Sequence, residues 1–292
     1  MGSSWQAAPA LRDLWIQIER ACPESPALLQ ETLEQLGALC PDTAAELRGF
    51  AERSRRDAYL LRFVLPVAEL AGWPSSPPPE LARVLTLQLL WAMVWRRLDD
   101  VMDLVHGSPS GHDLRVGELV RSLIRALRVH GLLYPLEADR AERVAELTLE
   151  TCSAARQERF TPIPYDAIWR RAGPFLIVPE TALKLAPEKL AVYRELINLQ
   201  GLVHDIHDFF DDLRNGTFTL PGSWLDAVEP ARIARPDVLQ RWFARASEEL
   251  ALAIEACRAA IGSRELRASR VLLVEACEVQ AELEAGGSRD VP

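Results

Sequence analysis

Two acidic stretches hold the residues best suited to chemistry. One, HDIHDFFDDLRNGTFTLP, runs from His204 to Pro221, and the other, RRLDDVMD, ends at Asp103. The first follows an apolar, helix-like stretch, and on a helix His204, Asp208 and Asp212 would share one face at i, i+4 and i+8. Carboxylates grouped in this way suit a hard divalent ion such as Mg²⁺, which takes its other oxygens from water and a substrate phosphate.

The second stretch ends a long apolar segment that also predicts a helix. Asp99 and Asp103 share a face of it, Asp100 lies beside them, and Trp91 and Trp95 form an aromatic stripe leading up to Asp99. Carboxylates near a helix C-terminus oppose the macrodipole, so we expect something else to stabilise them. Either cluster alone is equally well explained as a solvated helix end, but two of them favour a shared cation site.

These patterns predict a set of metal-binding and catalytic carboxylates. The predicted metal ligands are Asp99, Asp100, Asp103, His204, Asp205, Asp208 and Asp212, of which Asp99, Asp103, Asp208 and Asp212 are the predicted catalytic residues. Because imidazole is a poor ligand for Mg²⁺, three interpretations of His204 stay open: a ligand at a weak metal site, a hydrogen-bond donor behind the metal, or a structural residue.

Helical periodicity extends over nearly the whole chain, and no stretch alternates as a half-buried strand would. The predicted helices are Ala27–Leu39, Thr43–Trp73, Glu80–Val105, Leu114–Leu133, Ala138–Glu158, Pro187–Asp212, Pro236–Ile261 and Ser263–Ala285, with shorter elements near residues 10–22 and 226–234. His106–His112 is predicted to be a loop, and a helix beginning near Asp166 should be kinked at Gly173-Pro174 and Pro179. We therefore predict one all-α domain, a bundle of about ten helices over residues 1–285, and a disordered tail at 286–292.

The composition argues against several classes of binding partner and of stabilising site. The 292 residues carry a net charge of −9, which argues against binding to nucleic acid or to an anionic membrane surface. The five cysteines are scattered without CxxC spacing, so a disulfide framework or a zinc site is not expected. With no signal-like N-terminus and no apolar run long enough to cross a bilayer, we expect a cytoplasmic protein without integral membrane association.

The motifs resemble those of the class I isoprenoid synthases. DDVMD looks like the first aspartate-rich motif (DDxxD) of the trans-prenyltransferases, and the earlier RFVLPVAELAGW is similar to the helix that precedes it. HDIHD resembles the second aspartate-rich motif with His204 in place of the first Asp, and DDLRNGTFTLP resembles the segment that follows it. The same positions also fit the terpene-cyclase triad (N/D)xxx(S/T)xxxE. The resemblance covers about Arg55 to Leu225.

The resemblance implies a deep apolar pocket with the two acidic motifs at its mouth. There, three Mg²⁺ ions, or Mn²⁺ in their place, and several arginines would bind the diphosphate of an allylic prenyl substrate, which ionises to an allylic cation. The candidate diphosphate-binding residues are Arg159, Arg170, Arg171 and Arg214, and the candidate pocket aromatics are Trp91, Trp95, Trp169, Phe175 and Phe209, with Phe160 as a further possibility. Family analogy also suggests a homodimer.

Two departures from the prenyltransferase pattern favour a cyclase. No lysine precedes Lys184, and no Arg pair follows Asp103, so the usual features that bind isopentenyl diphosphate are missing. A terpene synthase, which needs one diphosphate site, is the preferred interpretation, and a prenyltransferase that joins the cation to a second prenyl diphosphate or other acceptor is the alternative. A third hypothesis is an inactive relative acting as a binding or regulatory subunit.

An HD-type phosphohydrolase built on His204-Asp205 is the remaining hypothesis. It would need metal-binding histidines on other helices. His106, His112 and His130 are expected to lack the apolar helical setting that such ligands require, which disfavours this hypothesis.

Overall fold

The structure is a computed structural model that describes residues 17–39, 61–73, 78–103, 109–135, 137–158, 160–215, 217–225 and 235–287. Within these ranges every regular element is helical, which confirms the predicted all-α class. The α-helices are α1 Ser25–Leu39, α2 Leu61–Leu70, α3 Pro78–Asp103, α4 Pro109–Leu133, α5 Ala138–Gln157, α6 Gly173–Ile177, α7 Pro187–Asn215, α8 Pro236–Ile261 and α9 Arg267–Gly287. Short 3₁₀ helices at Tyr165–Ala172 and Leu220–Trp224 and a π-helical turn at Val178–Ala182 complete them.

Several predicted boundaries were wrong. The predicted loop His106–His112 is helical from Pro109 onward, because proline is well tolerated in the first turn, where its missing N–H is not needed. Helix α9 begins at Arg267 instead of Ser263, and it continues to Gly287, so the predicted tail starts inside a helix. The elements predicted near residues 10–16, 43–60 and 226–234 lie outside the described residues.

Helices α3 and α7 form the centre of the bundle. Helix α3 packs against α1, α2, α4 and α6, while α7 packs against α8, α9 and the 3₁₀ helix Tyr165–Ala172. Their buried faces include Trp91 and Tyr193, both with no exposed surface. The two acidic motifs therefore end the two most central helices. Among the described residues, no helix combines the length and apolar character needed to cross a membrane.

The predicted kink lies between the 3₁₀ helix and α7. Pro179 has no N–H to offer the carbonyl of Phe175, four residues earlier, and the Gln88 side chain on α3 donates to that carbonyl instead, at 2.9 Å. The chain then widens into a π-helical turn closed by Leu183 N–H donating to the Val178 carbonyl at 3.0 Å. Gly173 permits this path, since a Cβ there would lie 2.2 Å from a backbone oxygen of α5.

Candidate functional site

Arg171 joins three elements at one corner of the bundle. It lies at the end of the 3₁₀ helix Tyr165–Ala172, and its guanidinium binds both carboxylate oxygens of Asp205 on α7, each at 2.9 Å. Its Nη1 also lies 3.1 Å from Glu158 Oε1, immediately after α5. Both carboxylates are buried, with Asp205 only 3% exposed. This corner thus holds a buried ionic network of one cation and two anions.

The end of α3 lies beside this network. The indole Nε1–H of Trp95, one turn before Asp99, donates to the Arg171 carbonyl oxygen at 2.8 Å. Burial raises the pKa of the Glu158 carboxyl, and the charge of Asp99 adds a smaller part of that shift. Arg171 thus contacts α3 through Trp95 and α7 through Asp205, the two helices that carry the predicted acidic clusters.

On α3, the two aspartates with described side chains lie next to arginines of the same helix. Arg96 contacts Asp99 at 3.3 Å and Asp100 at 3.4 Å, and Arg97 lies 3.7 Å from Asp100. Asp99 keeps 38% of its side chain exposed and Asp100 keeps 20%. Asp103 is the last residue of α3, but its side chain lies outside the described part of the structure.

On α7, the predicted stripe is present. His204 Nε2 lies 3.5 Å from Asp208 Oδ2, and both side chains are about half exposed. One turn further on, Asp212 Oδ2 accepts a hydrogen bond from the Thr219 hydroxyl at 3.2 Å. Asp205, on another face, points into the network with Arg171. The stripe His204, Asp208 and Asp212 is therefore the accessible part of this motif.

Burial and like charge shift the titration of these carboxyls. Burial, followed by the charges of Asp205 and Asp208, raises the pKa of Asp212 to about 7. Burial also raises the pKa of Glu158 to about 7, with Arg171 opposing the shift and Asp205 and Asp99 adding to it. The pKa of Asp208 is raised by burial and by Asp211. Burial is therefore the main cause of these three pKa shifts, and neighbouring carboxylates add to it.

The predicted diphosphate-binding arginines differ in their surroundings. Arg171 is largely buried and is engaged by two carboxylates. Arg170 is exposed, with its guanidinium carbon 5.9 Å from the Trp169 ring centroid. Arg214 is exposed and pairs with Asp211 in the preceding turn of α7. Arg159 lies outside the described residues.

The predicted pocket aromatics do not form one group. Trp95 and Phe175 contact each other beside the acidic corner, with ring centroids 5.3 Å apart, and Phe63 lies 4.5 Å beyond Phe175. Phe209 instead stacks on Trp242 of α8 at 4.3 Å, on another face of α7.

The other two tryptophans have structural partners. Trp91 is fully buried and donates to His130 at 3.2 Å. Trp169 packs under the Arg194 guanidinium, at 4.6 Å from the ring centroid. Phe160 is 75% exposed. Trp95 and Phe175 are therefore the aromatic pair next to the acidic corner.

The expectation for His130 was wrong. This residue lies on α4 in a fully buried position, because its two ring nitrogens find partners in the core, at Trp91 Nε1 and at the Thr181 hydroxyl, 3.3 Å away. Burial lowers its pKa to about 4, with Arg140 adding to the shift, so the ring is neutral at pH 7. Both nitrogens are occupied by these contacts, so His130 does not serve as the additional metal ligand that an HD-type site would need.

Two residues of this corner carried no signal in the sequence. Glu158 was noted only as a predicted helix end, because its pairing with Arg171 depends on tertiary packing. Gly201 lies one turn before Asp205, and a Cβ there would come within 2.4 Å of Ile168 and 3.2 Å of Arg171. This glycine lets the 3₁₀ helix approach α7 closely enough for the Arg171–Asp205 contact.

Among the side chains that the structure describes, no three histidine, cysteine, aspartate or glutamate groups are arranged to hold a metal ion. Comparisons of the chain with family models, with curated proteins and with solved structures found no match.

Proposed function

We propose that this chain is a Mg²⁺-dependent class I terpene synthase, which ionises an allylic prenyl diphosphate and lets the cation cyclise or eliminate. The observation that carries the proposal is that both acidic helices contact Arg171, α3 through Trp95 and α7 through Asp205. Carboxylates on the two helices would then offer oxygen donors from both sides of a bound diphosphate. The resemblance of both sequence motifs to this superfamily also supports the proposal.

The accessible carboxylates would hold the metal and the leaving group. Asp99, Asp100 and Asp103 would contribute from α3, and Asp208 and Asp212 from α7. Their oxygen chemistry fits Mg²⁺. Burial, with a smaller contribution from neighbouring carboxylates, raises the pKa of Asp208 and Asp212, and a bound cation would stabilise their charged forms. When bound, Mg²⁺ ions would neutralise charge on the diphosphate oxygens as the C–O bond breaks.

The arginines would assist at the same place. Arg170 and Arg214 are exposed near this corner and would reach a bound diphosphate after giving up weak surface contacts. Arg171 would act on the bound diphosphate through its positive charge and without direct hydrogen bonds, because its N–H donors already bind Asp205 and Glu158.

The hydrocarbon chain would extend from the acidic corner into the bundle. Trp95 follows the carboxylates toward the core, and Phe175 and Phe63 continue the aromatic surface. Aromatic faces attract an allylic cation through their quadrupole, while the surrounding apolar side chains exclude the water that would quench it. An apolar pocket between α3, α6 and α7 is part of this proposal.

The proposal is tested with C10, C15 and C20 prenyl diphosphates and Mg²⁺, with and without isopentenyl diphosphate. We expect a hydrocarbon or alcohol and free diphosphate from one substrate alone, and no turnover in EDTA. Products formed only when isopentenyl diphosphate is present would instead indicate a prenyltransferase. A folded protein that releases no diphosphate under any of these conditions would contradict both functions.

A further inference from the structure

Arg171 is fixed by contacts of both its side chain and its backbone. Its two terminal nitrogens bind Asp205 in a bidentate pair at 2.9 Å, and Nη1 also contacts Glu158 at 3.1 Å. Its backbone is fixed as well, because Trp95 donates to its carbonyl oxygen. A guanidinium stays protonated at all relevant pH values, so the cation is permanent.

The same contacts define what Asp205 can do. It is 3% exposed, and each of its oxygens accepts a hydrogen bond from Arg171. For Asp205 to ligate a metal ion, this pair would have to open and leave a buried guanidinium without its main partner, which is strongly unfavourable. Asp208, by contrast, is about half exposed one turn away.

Glu158 completes the arrangement from a third element. It is buried, and its own backbone carbonyl accepts a hydrogen bond from Phe218 N–H at 2.8 Å, in the segment that follows α7. The hydrogen bond from Phe218 thus fixes the backbone of Glu158, whose carboxylate contacts Arg171. Arg171 contacts α3 through Trp95 and α7 through Asp205, one residue after His204 of the α7 stripe.

We propose that Arg171 is a permanent cation of the metal–diphosphate site. Asp205 and Glu158 are then positioning residues that hold Arg171, and they do not bind metal themselves. This inference rests on the proposed function for the identity of the site. It predicts that the guanidinium takes the place of one divalent ion on the α7 side. Removing its charge should create a new metal-binding position from the carboxylates it leaves behind.

The first test measures Mn²⁺ binding without diphosphate, by the electron paramagnetic resonance signal of free Mn²⁺. Arg171→Met should bind Mn²⁺ at least about tenfold more tightly than the wild type, because a nearby positive charge is removed and two buried carboxylates lose their partner. Arg171→Lys, which keeps the charge, should remain close to the wild type.

Arg170→Met is the matched control, because it changes the net charge equally at the neighbouring, exposed position. Equal Mn²⁺ affinity of Arg171→Met and Arg170→Met would overturn the inference. This comparison does not require turnover, so it stays informative even if the chain ionises no prenyl diphosphate.

The second test uses Asp205→Asn, which is nearly isosteric and provides an answer if Arg171→Met does not fold. The number of Mn²⁺ ions bound per chain in the presence of inorganic diphosphate should equal that of the wild type. Loss of one ion would make Asp205 a ligand and would overturn the inference. If the wild type itself binds no Mn²⁺ with diphosphate, the proposed function fails, and the Arg171→Met comparison alone then decides the role of Arg171.

Discussion

At the scale of single residues, the acidic corner changes the titration of the groups it contains. Glu158 and Asp212 both have a pKa of about 7, mainly because they are buried, with neighbouring carboxylates adding to the shift. Arg171 opposes the shift in each case but does not cancel it. The corner is therefore more stable when Glu158 and Asp212 are protonated, or when a bound cation is present, than when both carboxyls are charged without a cation.

This balance predicts how stability depends on pH without metal. A carboxyl whose pKa is raised by folding binds more protons in the folded state, so stability falls as pH rises from about 4 to about 7. In EDTA, the Tm should therefore be lower at pH 8 than at pH 5.5. Glu158→Gln and Asp212→Asn should each flatten this dependence, and a wild-type Tm that rises over the interval would contradict the assignment.

The helical spacing of the α7 stripe was the part of the candidate site that could be predicted from the sequence. The stripe His204, Asp208 and Asp212 follows from helical spacing alone, and the His204–Asp208 contact agrees with it. The role of Glu158 was not predictable, because it depends on a contact between elements that are distant in the chain. Trp91 was predicted to face the pocket, but its N–H has a partner in the core instead, as a buried indole usually does.

At the scale of elements, the broken segment Gly173–Ala182 is held in place by side chains of other helices. Gln88 donates to the Phe175 carbonyl at 2.9 Å and to the Tyr193 hydroxyl at 3.0 Å, while Tyr193 in turn donates to the Phe63 carbonyl. The prolines predicted the kink, but the sequence does not tell which side chain satisfies the freed carbonyl. The kink positions Phe175 against Trp95, so it also shapes the aromatic surface near the acidic corner.

Replacing Gln88 should therefore destabilise the bundle. Gln88→Leu has a similar volume but leaves the Phe175 carbonyl without its donor, and we expect a loss of about 1–3 kcal/mol in the free energy of unfolding. Urea denaturation followed by circular dichroism measures this. Gln30→Leu, at an exposed position of α1, serves as the control, and an equally small effect of both substitutions would refute the role given to Gln88.

At the scale of the whole molecule, the bundle is closed by a contact between its early and late helices. Glu69, near the end of α2, accepts hydrogen bonds from the N–H groups of Ala268 and Ser269 and from the Ser269 hydroxyl, at 2.6–3.1 Å. These two N–H groups lie in the first turn of α9 and have no partner within that helix. A buried carboxylate from a distant segment thus caps α9, which explains why this helix begins at Arg267.

This cap predicts a further stability effect. Glu69→Ala should lower the free energy of unfolding by about 1.5–3 kcal/mol, because buried N–H donors lose a charged acceptor. Glu278→Ala, at an exposed position of the same helix, should change it much less. Chemical denaturation of the two variants in parallel decides the matter, and equal midpoints would show that the cap contributes little.

The fold class was predictable because helical periodicity is a local property of the sequence. The convergence of the two acidic motifs was inferred from resemblance and stays a prediction, while the structure shows that Trp95 of α3 and Asp205 of α7 both contact Arg171. Contacts of this kind depend on how helices pack, and no local pattern specifies them. The metal and substrate remain predictions, because they rest on the chemistry of the donors.

In the proposed function, Asp99 on α3 and Asp208 on α7 belong to one metal–diphosphate site. A double-mutant cycle with Asp99→Asn and Asp208→Asn tests it through the affinity for Mn²⁺ and inorganic diphosphate, measured by calorimetry. Each single variant should weaken binding at least about tenfold. The double variant should lose less than the sum of the two, with a coupling of at least about 1 kcal/mol. Losses that add to within about 0.5 kcal/mol would mean that the two aspartates act independently, which would contradict the account.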